Sequence, residues 1–282
     1  MDLSIIIINH NTRTLTAQAI QSIQDTHPQI TYEIIVVDNS TIPEEQYNTA
    51  ESIVTVLHNV ENKGFAHGCN TGANVAKGEY LLFLNSDTIM QPDTLDESVQ
   101  YMRTHNNIGA LGVQVVLSDG SLDHACKRGF PTPWNALCYF GHLDRLFPKV
   151  PLFNGYRLNH LNRAETHTVD SITGAYMMMP ASLYRELGGF DETYFMYGED
   201  LDLCWRVKAA GYEVVYYAPV TCLHLKGQSG RASKNALVQY HFYNAMLIFY
   251  DRYYVGKYPK LLTGAIKWAI RKKMPRIGGV SA

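Results

Sequence analysis

The stretch SIIIINHN, residues 4–11, decides the fold. Four consecutive isoleucines leave no polar face, so a strand built from them is buried on both sides, and Asn9, His10 and Asn11 mark the point where it ends. The pattern recurs. EIIVV at residues 33–37 runs into Asp38 and Asn39, IVTVL at 53–57 is a further apolar run, and YLLFL at 80–84 runs into Asn85, Ser86 and Asp87. Between the first two runs Leu15, Ala19, Ile20 and Ile23 recur at helical spacing, and a glycine-punctuated helix is predicted over residues 66–76, ahead of a Lys77-Gly78 stop. Short β-branched runs alternating with helices predict an α/β fold with a Rossmann-like, mostly parallel central sheet flanked by helices. In such sheets the ligand crevice lies beyond the carboxyl ends of the strands. Here those ends are rich in carboxylates and amides.

Beyond Asp87 the simple alternation stops. A helix over residues 92–105 with Pro92 in its first turn, a strand over 110–117 and a turn at Ser118-Asp119-Gly120 are predicted. Residues 126–162 are rich in Gly, Pro and aromatics without a period, and fit either a long loop or a substrate-facing subdomain. An ordered run at 169–179 passes through Pro180 into a helix closed by Gly188-Gly189. A short helix from Glu199 to Gly211 and a strand over 213–217 follow. The expected organisation is one domain over residues 1–235, with a nucleotide-binding half at 1–88 and an acceptor or catalytic half at 89–235. An aromatic, basic helical extension occupies residues 236–282.

Composition narrows the class. With 282 residues, 46% hydrophobic and 18% charged, the chain fits a folded domain with an appendage rather than a disordered, collagenous or repeat-array protein. No window approaches the roughly 18 apolar residues of a spanning helix. Met1-Asp2 leads into a strand without a basic leader, so a cytoplasmic location is expected. Five cysteines form no CxxC pair, which favours free buried thiols over disulfides or a thiolate zinc site. The formal net charge of −2 is a cancellation: residues 1–251 hold 16 basic and 26 acidic side chains, residues 252–282 hold 8 basic and none acidic.

Several residues carry candidate chemistry. Asp87 follows an apolar strand directly, so a rigid scaffold would hold its carboxylate at the crevice. Such a group can bind Mg²⁺ or Mn²⁺ shared with substrate phosphates; the alternative role is the N-cap of the following helix. Glu199, Asp200 and Asp202 crowd a helix start, where the macrodipole favours ionised acids and a carboxylate can act as a base. Charge compensation alone would also explain them. Successive helical positions rotate by about 100°, so only one of Asp200 and Asp202 can face the crevice. His224 ends the apolar run at 220–223, with Gly227 and Ser229 shortly after, and becomes functional only if the fold brings it to Asp87. Gly64, Gly68 and Gly72 match neither a dinucleotide fingerprint nor a P-loop; they suit close helix–sheet packing, although Lys63 could meet a phosphate.

The succession SIIIINHNT, EIIVVDNS, ENKGFAHGCNTGAN, YLLFLNSDT, SITGAYMMMP and GGFDETYFMYGEDLDLCWR resembles the GT-A-type family 2 inverting glycosyltransferases, and most closely their bacterial rhamnosyltransferase branch. The resemblance spans about residues 3–230 and rests on the order of six blocks. It implies that Asp38 hydrogen-bonds the pyrimidine of a nucleotide-sugar, with Asn9 and Asn11 in the same pocket and Asn62, Gly64 and Asn70 near the nucleotide. Asp87 would be the metal-binding acid of the Asp-x-Asp motif, Ser86 would lie at the donor, and His224 would complete the metal site. Asp200 would be the general base, with Glu199, Arg206 and Gly174 in support. In this chain Asn85 replaces the motif's first Asp. Asn85 can still hydrogen-bond a sugar hydroxyl but is a poorer metal ligand, which shifts the burden onto Asp87, His224 and the diphosphate.

From Tyr253 onward aromatic and aliphatic residues alternate with lysine and arginine. That composition suits a helix on an anionic bilayer surface. A dimer-forming helix is the alternative, and a nucleic-acid arm ranks last because the body is acidic. Together these features predict a cytoplasmic, peripheral-membrane transferase with a divalent metal, Mn or Mg. It would move a sugar, L-rhamnose from dTDP-L-rhamnose by resemblance, onto a lipid-linked saccharide of bacterial surface polysaccharide. A UDP-sugar donor, a non-catalytic nucleotide-sugar binding module and nucleotidyl transfer are the competing readings.

Overall fold

The four-isoleucine run forms β1 (Leu3–Asn9), every residue of which is buried, so it sits inside the sheet with helices on both faces. The structure, a computed structural model, describes residues 1–225 and 235–276. After β1 come α1 (Arg13–Asp25), β2 (Tyr32–Asp38), β3 (Val54–His58), α2 (Phe65–Val75) and β4 (Tyr80–Asn85). These form the parallel order β3-β2-β1-β4, with Asn9 beside Asp38 and Ile8 beside Asn85, so the polar strand ends lie on one edge. The glycines of α2 pack as expected. A Cβ at Gly72 would stand 2.6 Å from Ile6 Cγ2, which is why the helix can lie so close to β1.

The second half mixes directions. It contains β5 (Thr88–Met90), α3 (Thr94–Thr104), β6 (Ile108–Leu117), α4 (Pro133–Phe140), α5 (Leu143–Leu146), β7 (His167–Val169), β8 (Tyr176–Pro180), α6 (Ala181–Glu186), α7 (Glu199–Ala209) and β9 (Glu213–His224). β8 joins the parallel half to β6 through antiparallel pairings, while β9 runs parallel to β6 and antiparallel to β5 and β7. The fold is therefore α/β, with the longer ladders parallel. Three expectations change in detail. Residues 88–90 are taken up by β5, so α3 starts at Thr94 with Asp93 as its N-cap and Pro92 outside. The run at 169–179 divides into β7 and β8 around a loop. The strand expected over 213–217 continues to His224 because β6 and then β5 pair with it.

Residues 126–162 form a small helical subdomain containing α4 and α5 rather than a featureless loop. α8 (Ala236–Tyr253) and α9 (Lys260–Lys273) follow, and their own apolar cluster joins Phe249, Tyr250 and Tyr254 to Leu201 of α7, with Ile266 packed against it. All five cysteines are free and buried. Among the described residues no helix is long and apolar enough to cross a membrane.

Candidate active site

A cavity of about 670 Å³ opens where β1 and β4 end. One wall comes from the sheet and its loops and presents Thr12, Asn62, Asn85, Ser86, Asp87 and His224. The opposite wall is apolar and comes from α4 and α8, through Tyr139, Phe140, Phe242, Met246 and Phe249. Glu199, Asp200 and Gly174 also line it.

Strand register assembles the sheet wall. His224 pairs with Thr88 on one side and Leu117 on the other, which sets it beside Asp87. Its Nε2 lies 3.1 Å from Asp87 Oδ1 and its Nδ1 3.1 Å from Asp123 Oδ2, all three groups being buried. Burial pulls the imidazole pKa down, but the hydrogen bonds and charges of Asp123 and Asp87 outweigh it and raise it to about 9. Asp87 thus belongs to a carboxylate–histidine cluster and does not cap α3. This donor set fits a divalent cation once Nε2 gives up its proton: a hard carboxylate oxygen and an imidazole nitrogen would then meet on the cavity wall, with Asp123 fixing the other ring nitrogen. Among the described residues no three His, Cys, Asp or Glu side chains form a complete metal cage, so the remaining ligands would have to come from substrate or water.

The acidic start of α7 divides as helical geometry requires. Asp200 faces the cavity; its Oδ2 accepts from Arg128 Nη2 at 2.5 Å and from the Gly174 N–H at 3.4 Å, while Oδ1 accepts the Leu201 N–H at 2.7 Å. Arg128 also donates to the Ile172 carbonyl, which fixes the guanidinium. Asp202 points the other way, to Arg206, Arg252 and Tyr253, and anchors α8. Glu199 is buried with Oε2 unpartnered. Burial first, and then the Asp200 charge, push its pKa up to about 8, so at neutral pH it holds its proton.

Other expected site residues fall in several places. Asn85 and Ser86 line the cavity, with Ser86 Oγ 3.0 Å from Thr12 Oγ1. Asn62 lines it and accepts the Gly64 N–H at 2.9 Å. Gly64 has φ +99°, and a Cβ there would meet the Phe195 carbonyl oxygen at 2.3 Å, so this turn needs glycine. Asn9, Asn11 and Asp38 lie behind the lining. Asn9 donates to Asp38 at 2.7 Å, Asp38 also meets Ser40 and His58, and Asn11 accepts the Thr41 and Ile42 N–H groups. They brace the loop after β2. Asn70, expected near the nucleotide, instead bonds the Phe190 backbone and Glu192 and ties α2 to the turn after α6. Lys63 is exposed and paired with Glu61 at 3.0 Å, away from the lining. Arg206, expected to support Asp200, is claimed by Asp202 one turn earlier and by the Leu187 carbonyl. Gly227 and Ser229 lie outside the described residues.

Arg128 and Asp123 escape sequence reading because they stand in or beside an aperiodic segment and meet their partners only through tertiary pairing. The apolar contribution of α8 is also hidden, since its aromatics read as ordinary helix packing.

Residues 4–179 match glycosyl transferase family 2, and residues 162–226 match a second description, the N-terminal domain of galactosyltransferase. The chain belongs to glycosyl transferase family 2. It is 30% identical over 164 residues to the N-acetylglucosaminyl-diphospho-decaprenol L-rhamnosyltransferase of Mycobacterium tuberculosis, covering 58% of this chain and 52% of that one. It is 27% identical over 189 residues to rhamnosyltransferase WbbL of Escherichia coli K12, covering 63% and 67%. The match to the mycobacterial protein therefore spans about half of that relative's length. Among solved structures, the mannosyltransferase PcManGT of Pyrobaculum calidifontis, in complex with GDP-Man and Mn²⁺, superposes with a TM-score of 0.59 at 16% identity, covering 97% of this chain and 72% of that one. The shared fold is GT-A.

Proposed function

We propose that this chain is an inverting glycosyltransferase that moves L-rhamnose from dTDP-L-rhamnose onto a hydroxyl of a lipid-linked saccharide. One observation carries the reading: a single cavity joins the Asp87–His224 pair at the sheet ends to Asp200 near an apolar wall. Rhamnose is favoured over other sugars because two of the relatives carry rhamnosyltransferase names. A lipid-linked acceptor is favoured by the diphospho-decaprenol in one of those names and by the apolar wall.

Asp87 and His224 would hold Mn²⁺ or Mg²⁺, which when bound supplies charge stabilisation to a departing diphosphate. Asn85 and Ser86 sit beside them and offer neutral hydrogen bonds to donor hydroxyls or phosphate oxygens. Asp200 is the base. Arg128 orients it, and Oδ1, which takes the Leu201 N–H, has a second lone pair for the proton of an acceptor hydroxyl. That hydroxyl oxygen then attacks the anomeric carbon from the face opposite the diphosphate. Glu199, protonated at neutral pH, adds no second negative charge at this point. α9 rests on the inner face of the cell membrane through its cations.

The test is thermal denaturation with dTDP-L-rhamnose, UDP-sugars and GDP-mannose, each with and without Mn²⁺. Donor at a hundredfold excess over its Kd stabilises by about 2.7 kcal/mol, which raises Tm by roughly 5 °C or more in a chain of this size. A shift with dTDP-L-rhamnose that deepens with Mn²⁺ supports the reading. No shift with any nucleotide-sugar overturns it.

A further inference from the structure

Charge separates further than a simple body-and-tail division. Residues 124–164 carry six basic side chains and one acidic one, Asp144, which is buried 3.1 Å from Arg157. With residues 252–282 they hold 14 of the 24 basic groups, which leaves 10 basic and 25 acidic groups elsewhere. The first cationic segment is also the main exposed apolar region of the body. Leu137, Leu146 and Leu152 are 59%, 69% and 62% exposed, flanked by Trp134, Phe147 and the exposed cations Arg145 and Lys149.

α9 matches it. Ile266 and Ile270 turn inward, whereas Leu261 and Trp268, seven residues apart, face outward with Lys272 Nζ 5.0 Å from the Trp268 ring. The two segments touch: Lys273 Nζ stands 4.9 Å from the Phe140 ring centroid. Phe140, Tyr139 and Ala136 line the cavity, while Trp134 and Leu137 of the same helix face solvent.

We propose that residues 133–153 and the outward stripe of α9 form one docking face for an anionic phospholipid surface, placed at the apolar edge of the cavity so that an acceptor enters from the bilayer. Apolar and aromatic side chains interspersed with cations, with the one acid of residues 124–164 buried and paired, are the chemistry that interfacial anchoring uses. The inference rests on the reading of α9 as membrane-facing and adds a second anchor that positions the cavity mouth.

The full chain carrying Trp268→Phe leaves Trp134 as the exposed tryptophan, since Trp205 packs against Phe249 and Tyr253. Its fluorescence is followed on vesicles of phosphatidylglycerol and phosphatidylcholine containing brominated acyl chains. Quenching of Trp134 is the expected result. Vesicle binding without quenching leaves α9 as the sole anchor and overturns this proposal alone, whereas no vesicle binding by the parent chain overturns the α9 reading with it. The combined variant Leu137→Glu, Leu146→Glu, Leu152→Glu should bind such vesicles at least about tenfold more weakly. Its Tm and its stabilisation by nucleotide-sugar should match the parent. If the variant instead lowers the mass in solution and binds vesicles unchanged, the face joins two copies of the chain and the proposal falls.

Discussion

The two walls of the cavity rest on different physics. The sheet-end wall places Asp87 and His224 at the ends of strands inside the main core, with pairing to β5 and β6 on its two sides fixing the histidine. The helical wall places Phe140, Phe242 and Phe249 on α4 and α8, outside the central sheet, and α8 is secured by a separate small cluster and by Asp202. The carboxylate and imidazole groups are thus carried on strand ends of the main core, and the apolar surface on helices packed outside it. Asp200 stands between the walls, oriented by Arg128 from the helical subdomain's edge and by Gly174 from the loop before β8.

This contrast can be broken experimentally. The largest effect is expected at the sheet wall: Asp87→Ala should lower transfer by about 10²- to 10³-fold and remove the effect of Mn²⁺ on donor binding. Transfer with unchanged metal dependence would show that this wall does not hold the diphosphate end. At the helical wall, Phe242→Ala should raise the acceptor KM by about tenfold, the scale of one lost apolar contact surface, and leave the donor Kd unchanged. Steady-state kinetics with each substrate varied separately would expose the reverse pattern.

The smallest effect concerns Glu199. Its pKa is about 8 in the folded protein against an ordinary 4.5, so the unfolded chain ionises first. Its contribution to stability is therefore full below pH 4.5, falls as pH rises and is lost above pH 8. Glu199→Gln should melt a few degrees above the parent at pH 8 and close to it at pH 4.5. His224, raised to about 9, has the same sign between pH 6.5 and 9, so variant and parent are compared at equal pH. Equal melting at both pH values would mean that Glu199 is ionised in the fold.

The sheet wall was legible because runs such as residues 4–8 and 80–84 are apolar on both faces, which only buried strands tolerate, and because Asp87 follows one of them directly. The opposition of Asp200 and Asp202 followed from helical rotation. Asp123 was not legible: it meets His224 across 101 residues, through the β6–β9 register. Arg128 likewise reaches Asp200 across 72 residues. The resemblance implies a supporting role for the nearer Arg206, in the same block as Asp200, but its i,i+4 relation to Asp202 takes it away from the cavity. β5 and β7, three residues each, form because β9 offers them an edge and not because of their own pattern.

On the proposed reading, Asp200 activates an acceptor against a nucleotide-sugar held at the Asp87–His224 end. The most direct test is product analysis by NMR with dTDP-L-rhamnose and a lipid-linked saccharide acceptor, for the parent chain and Asp200→Asn. An inverted glycosidic linkage is expected from the parent. The variant should lose about 10²- to 10⁴-fold in transfer, with donor affinity within about twofold of the parent. A retained anomeric configuration, or transfer by Asp200→Asn at the parent's rate, would contradict that reading.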